Sequence, residues 1–367
     1  MKKYFLLVAF LFLYNNLLYN YSNIVLPSKK KELISLVFVG DIMGHSPQFQ
    51  AAYNITANTY NYDICFQQVK PYIEKADFAI ANLEAPIAGR PYTGFPNFSS
   101  PDELLDAIKK AGFDILLTAN NHILDRGKVG LERTIQQIEK RSLYHLGSYI
   151  NKAQRDSIYP LILESKGFKV AFLNCTYGTN GIKTLQTNLI NYIDTLQIVA
   201  DIDKANKLSA DVKIMTIHWG NENELQANKV QRNIARFLVN HGINLIVGSH
   251  PHVIQNAEIL TDKDGKQVPV FYSLGNFISN QRESNNKGGL MLRVDIDKNA
   301  KRITSVSYLP VYVYRGKLNG SFQFHLIPTI DFEKRSSAFA LNKDDSLSLM
   351  DFDTKTRDRL SNIKLIQ

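Results

Sequence analysis

The chain has 367 residues, 44% of them hydrophobic and 21% charged, a balance that buries a large core and excludes a disordered or fibrous chain. Two cysteines, Cys65 and Cys175, are too few for a disulfide scaffold or a cysteine-rich zinc or iron–sulfur site, and both sit in apolar strings as expected of buried free thiols. The formal charge of +9 favours an anionic partner and says nothing about fold.

At the N-terminus, Lys2-Lys3 precede an uncharged apolar run over 5–14, and a polar Asn/Tyr-rich stretch follows to Pro27. Ten residues are too few to cross a bilayer as a helix but fit the hydrophobic region of an export signal. Residues 1–28 are expected to be a signal peptide or, with Leu17-Leu18 extending the run, an N-terminal membrane anchor. Either puts the rest of the chain at the cell envelope.

Short apolar runs then recur at 36–39, 78–81, 115–118, 170–173, 214–217, 245–247 and 268–272, and helical spacing fills 102–111, 130–140, 201–208 and 228–241. Strands alternating with helices predict an α/β fold, and continuous apolar strands predict a sheet covered on both faces. Beyond 285, strands at 290–294 and 303–313 flank the turn-prone Asp297-Lys298-Asn299-Ala300, which predicts an antiparallel hairpin. No Pro/Gly/Ser-rich linker divides 32–330, so one domain is expected there, followed by a polar tail over 331–367 with a closing helix.

Nearly every strand ends in metal-binding side chains. The runs lead into Gly40-Asp41, Asn82-Leu83-Glu84, Asn120-Asn121-His122, His218-Trp219-Gly220-Asn221-Glu222 and His250-Pro251-His252. The carboxyl ends of strands in an open α/β sheet converge on one crevice. Asp41, Glu84, Asn121, His218, His250 and His252 are therefore expected to meet there as metal ligands. Imidazole, carboxylate and amide oxygen without thiolate suit one or two divalent ions of Zn, Mn or Fe. Glu84 is the expected bridge, and His122 the general acid. His45, Glu222, Arg126 and Trp219 are candidates for contact with substrate, Trp219 being equally suited to a core position. His145, His241 and His325 stand apart and are expected to be structural.

These motifs, with Asp125, Gly127 and Gly130 downstream and Ser273-Leu274-Gly275-Asn276-Phe277 as the last, occur in the order found in CapA-type bacterial capsule-synthesis proteins. That family belongs to the calcineurin-like metallophosphatase superfamily, and the resemblance spans about 34–315. It implies a four-layer α/β/β/α sandwich of the metallophosphatase type, a two-metal crevice, and a role in making or exporting a poly-γ-glutamate-type capsule polymer. The partners implied are that anionic polymer and membrane-bound capsule-synthesis proteins, with no nucleic acid. It also implies that Asp41 is the first-motif aspartate, that Glu84 takes the place of the bridging aspartate, and that Asn276 bonds backbone in a turn behind the site. Two departures stand out: position 43 is Met where the superfamily's Asp-x-His motif has an imidazole, and Glu84 replaces a shorter Asp. The site therefore reads as a metal-dependent hydrolase acting on an anionic polymer. The alternatives are a non-catalytic polyanion-binding component and a general metallophosphoesterase.

Overall fold

Every parallel strand must be followed by a crossover long enough to return the chain to the same edge, and in this sequence the crossovers are helices. The computed structural model describes residues 32–165, 167–184, 187–318, 321–339 and 341–365. In the first sheet, β1 (Leu33–Ile42), β2 (Phe78–Leu83), β3 (Ile115–Leu117) and β4 (Tyr144–Leu146) run parallel in that order. In the second, β5 (Leu161–Ser165) pairs antiparallel with β6 (Phe168–Thr176), which leads through β7 (Val212–His218) and β8 (Leu245–Ser249) in parallel register. The hairpin of β9 (Ala257–Thr261) and β10 (Gln267–Phe271) closes the other edge, β10 lying parallel to β8. A short strand, β11 (Asn276–Ile278), crosses back to pair with β1 in the first sheet.

Period-two alternation along β1 divides its side chains between two layers. Leu36 and Phe38 pack with Phe172, Ile214 and Ile246 of the second sheet. Val37 and Val39 pack with Leu104, Leu105 and Ile108 of helix α1 (Glu103–Ala111). Beyond α2 (Gly127–Lys140), the second sheet is covered by α3 (Thr195–Lys207) through Ile198 and Ile202, and by α4 (Lys229–Asn240) through Leu238 and Val239. The result is the expected α/β/β/α order. Helix α3 starts six residues before its predicted position because Asp194 caps it, accepting hydrogen bonds from the Leu196 and Gln197 backbone N–H groups.

The predicted hairpin extends both strands, to β12 (Gly288–Asp297) and β13 (Arg302–Leu318), and joins the first sheet by pairing β12 with β1. Asp297 Oδ1 closes its turn by accepting from the Asn299 and Ala300 N–H groups. After β14 (Ser321–Pro328), the stretch expected as a polar tail forms α5 (Thr329–Phe339) and α6 (Lys343–Arg359). Phe332, Phe339, Leu349 and Phe352 join the core with Tyr308 and Tyr312, and Arg359 Nη1 donates to the Ile254 carbonyl at 2.8 Å. Cys65 and Cys175 are buried free thiols. The signal or anchor expected at 1–28 lies outside the described residues. Among the described residues, no helix is long and apolar enough to cross a membrane.

Candidate metal centre

The carboxyl ends of β1, β2 and β3 in one sheet face those of β7 and β8 in the other. A glycine starts the arrangement. A Cβ at Gly40 would lie 1.8 Å from the Gly275 carbonyl oxygen, which instead accepts the Asp41 N–H at 3.0 Å. That close approach holds β1 against the turn before β11 and sends the Asp41 carboxylate into the space between the sheets. Asp41 and Glu84 are fully buried, as is His218, and His250 and His252 are nearly so.

The six expected ligands come together. Glu84, His218 and His250 each offer a ligand atom within 4.8 Å of the others, and so do Asp41, Glu84 and His252. Glu84 belongs to both groups, the position of a bridge. Asn121 joins the first through Oδ1, 2.8 Å from His218 Nε2. Asn82 ties the carboxylates together, Nδ2 donating to Asp41 Oδ1 at 2.8 Å and to Glu84 Oε2 at 3.3 Å. Two buried atoms face this space with no hydrogen-bond partner, Glu84 Oε1 and His250 Nδ1. Buried acceptors are almost always satisfied, and a carboxylate oxygen and an imidazole nitrogen are what a divalent cation takes at about 2.0–2.2 Å. The donor set therefore fits a metal.

Orientation comes from a second layer of polar groups. His218 Nδ1 meets Ser249 Oγ at 2.9 Å, and His252 Nδ1 meets Asn276 Oδ1 at 3.1 Å, while Asn276 Nδ2 donates to the Asn286 carbonyl at 3.1 Å. Asn276 thus bonds backbone in its turn and also holds a candidate ligand. His250 and His252 have φ of 100° and 58°, left-handed conformations that non-glycine residues adopt at a cost and that concentrate at functional sites.

Burial and crowded charge set the protonation states. Burial pushes the Glu84 carboxyl well above its ordinary value, and neighbouring Asp41 adds to the effect. Burial also acts on Asp41, but His252 outweighs it and holds that carboxyl below its ordinary range. Burial drives His218 down to about 3 and His250 to about 2, leaving neutral imidazoles fit for a metal. Burial opposes the charge on His252 as well, yet Glu84 and Asp41 raise it to about 9. Without a cation, a proton on His252 balances the carboxylates.

His122 stands beside the two groups, within electrostatic range of Glu84, His218 and His250, and its Nδ1 lies 2.8 Å from the buried Asp125 Oδ2. His45 belongs to neither group but lies within electrostatic range of His252 and His122; Asn280 N donates to its Nδ1 at 3.3 Å, and its ring meets Phe98 edge-on. Glu222 is exposed within electrostatic range of His218 and His252. Arg126 lies on the loop after His122, its Nη1 donating to the Pro91 carbonyl and Thr93 Oγ1.

Trp219 does not line the crevice. It is 1% exposed, stacks on Tyr272 and donates Nε1–H to the Tyr272 carbonyl at 2.9 Å, so its ring fills the core. Met43 is buried and adds no ligand where the resemblance puts an imidazole. Sequence reasoning assigned no site role to Asn82, Ser249 or Tyr177. Tyr177 is 45% exposed with its ring 4.6 Å from that of His250. Its one sequence signal is its place directly after strand β6.

The three remaining histidines have local partners. His145 pairs with Glu139, His241 meets the Phe237 carbonyl at a helix end, and His325 stacks on Tyr314.

Among solved structures, the chain is similar to Haemophilus influenzae NAD nucleotidase, with a TM-score of 0.50 and 12% identity over 92% of this chain and 57% of that one. It also aligns with the calcineurin-like phosphoesterase YfkN of Bacillus subtilis, at TM-score 0.43 and 14% identity over 90% and 99%. At these identities the likeness speaks to fold alone, an α/β sandwich of two sheets. It is 28% identical over 302 residues to the capsule biosynthesis protein CapA of Bacillus anthracis, covering 78% of this chain and 69% of the relative. The PGA biosynthesis protein CapA of Bacillus subtilis (strain 168) is 27% identical over 281 residues, covering 73% and 69%. The model of the family described as bacterial capsule synthesis protein PGA_cap matches residues 35–281, a span that holds all six candidate ligands and the whole of the second sheet, and the chain belongs to that family.

Proposed function

We propose that this protein is a metal-dependent hydrolase of capsule assembly that acts on an anionic polymer of poly-γ-glutamate type at the cell envelope. The observation that carries this reading is Glu84, buried between two ligand groups with Oε1 unpartnered. Asp41, Glu84 and His252 would hold one ion, and Glu84, Asn121, His218 and His250 a second. A divalent ion bound there, Zn, Mn or Fe by donor type, supplies Lewis acidity at a carbonyl or phosphoryl centre.

The chain's own groups do the rest. Ser249 and Asn276 fix the His218 and His252 rings, as outer partners of metal-binding histidines do. Asp125 holds the His122 ring at Nδ1, which leaves Nε2 to deliver a proton to the leaving group. Envelope location draws on Lys2-Lys3 and the apolar run behind them, and capsule-synthesis membrane proteins are the proposed partners.

The test is hydrolysis of poly-γ-glutamate and of a small phosphodiester by metal-replete protein, with Asp41→Ala and His250→Ala expected to abolish it. Absence of both activities, or activity indifferent to both substitutions, overturns the reading. A second reading, a polyanion-binding component without catalysis, draws on Met43 in place of an imidazole. Polymer affinity that survives chelator and His250→Ala, with no hydrolysis of polymer or phosphodiester by metal-replete protein, would favour it. Turnover of the phosphodiester far above that of any amide would favour a general phosphoesterase.

A further inference from the structure

A groove of about 580 Å³ adjoins the centre on the side of His122, lined by Ser46, Tyr92, Thr93, Phe95, Asp125 and Arg126. Its volume falls within the roughly 300–1,000 Å³ of small-ligand sites. Asp125 belongs to both places, lining the groove while its Oδ2 contacts His122 and accepts the Phe98 N–H at 2.8 Å. The Phe98 ring meets His122 edge-on, with centroids 4.7 Å apart. The groove and the proposed proton donor thus share Asp125, which places a chain lying in the groove one residue away from His122.

Arg126 is the cation of this groove, and its situation differs from that of its neighbours. Arg133 pairs with Asp102, Arg141 with Asp106 and Arg155 with Asp201. Arg126 uses Nη1 on the Pro91 carbonyl at 3.2 Å and Thr93 Oγ1 at 3.1 Å, and among the described residues no carboxylate lies within ion-pair distance of it. The guanidinium is held in place with its remaining N–H donors uncommitted, and a guanidinium fork matches a planar anion in bidentate fashion. Ser46 offers a hydrogen-bonding group for an amide, and the rings of Tyr92 and the 72%-exposed Phe95 offer apolar cover for methylenes. Carboxylate, amide and methylene together make up a γ-linked glutamyl repeat.

We propose that this groove is a subsite for the anionic chain, with Arg126 taking the α-carboxylate of a residue next to the bond being cleaved. The inference rests on the reading of the centre as one that acts on such a chain. The test is isothermal titration of the full chain, with chelator present, using a γ-linked glutamate decamer, the matching γ-linked glutamine decamer and inorganic tripolyphosphate. Arg126→Gln should weaken the glutamate decamer about tenfold to a hundredfold, the loss of a bidentate charge-assisted contact. It should leave the glutamine decamer and the melting temperature unchanged, and Arg126→Lys should restore part of the affinity.

Equal glutamate affinity in the parent and Arg126→Gln overturns the proposal, as does equal binding of the two decamers. Tripolyphosphate binding that depends on Arg126, without glutamate binding, overturns the assignment to carboxylate. A phosphodiester too short to reach the groove separates the two readings: its cleavage by the parent protein tests the metal centre alone. Cleavage of the phosphodiester by a parent protein that does not bind the decamer, or whose decamer binding is indifferent to Arg126, defeats only the subsite. Cleavage absent with Arg126-dependent binding intact defeats only the catalytic reading.

Discussion

Replacing Glu84 by Gln pits two consequences of burial against each other. In metal-free protein the carboxyl is raised well above its ordinary value by burial and by Asp41, so the folded state holds its proton more tightly than the unfolded chain does. By linkage, the stability this group costs appears as pH rises past the ordinary Glu value of about 4.3 and grows until its folded pKa is reached. Gln is nearly isosteric and uncharged. It removes both the repulsion with Asp41 and the pH dependence. An unsatisfied buried polar group costs about 1–3 kcal/mol, and the larger domains shift by roughly 2–4 °C per kcal/mol. With chelator at pH 8, Glu84→Gln should therefore melt several degrees above the parent protein. Metal reverses the order. A ligand at a hundred times its Kd stabilises a protein by about 2.7 kcal/mol, and the variant, lacking the ligand atom shared by both groups, should gain little of that. Calorimetric scans at pH 5 and 8, with EDTA and with manganese or zinc, give the four comparisons. A variant that melts below the parent in chelator and gains as much from metal refutes the placement of Glu84 as a buried bridge.

His252, raised to about 9, adds stability that is complete below the ordinary His value of about 6.5 and is lost as pH rises through 9. Metal must displace its proton, and any that Glu84 still holds, so metal affinity should climb by at least roughly tenfold per pH unit between 6.5 and 9, and titrations in buffers of different ionisation enthalpy should show about one proton or more released. An affinity flat across that range contradicts the assignment. Gly40→Ala places a methyl 1.8 Å from the Gly275 oxygen and should cost about 1–3 kcal/mol or more, read as a lower denaturant midpoint with weakened metal binding. Trp219→Phe loses the bond to the Tyr272 carbonyl and part of the core packing; it should lower stability by about 1–3 kcal/mol while metal affinity and turnover stay at parent values. A kinetic defect without a stability defect would return Trp219 to the cleft wall.

The strands and the meeting of the six candidate ligands could be read from the chain because each apolar run ends in a residue with few roles besides capping and coordination, and topology carries those ends to one place. Their supports could not. Asn82, Ser249 and Asn276 are ordinary turn and strand-end residues, and only the meeting of two sheets gives them partners as distant as Asp41 and His252. Trp219 follows directly on a ligand strand, where sequence alone cannot say which side of the sheet a ring takes; the close approach of Gly248, whose Cβ would lie 2.6 Å from the indole nitrogen, decides it for the core. Of helices α5 and α6 the sequence suggested only one closing helix, because both are largely polar. They pack through a few apolar residues, among them Phe332, Leu349 and Phe352, set in long charged stretches.

Anomalous diffraction from a crystal soaked in manganese or zinc tests the placement of the metal most directly. The structure leads us to expect density between the two sheets, about 2.0–2.2 Å from Glu84 Oε1 and from nitrogen atoms of His218 and His250, with any second ion on the side of Asp41 and His252. Saturating metal with no density between the sheets, or density only at surface carboxylates, would contradict it.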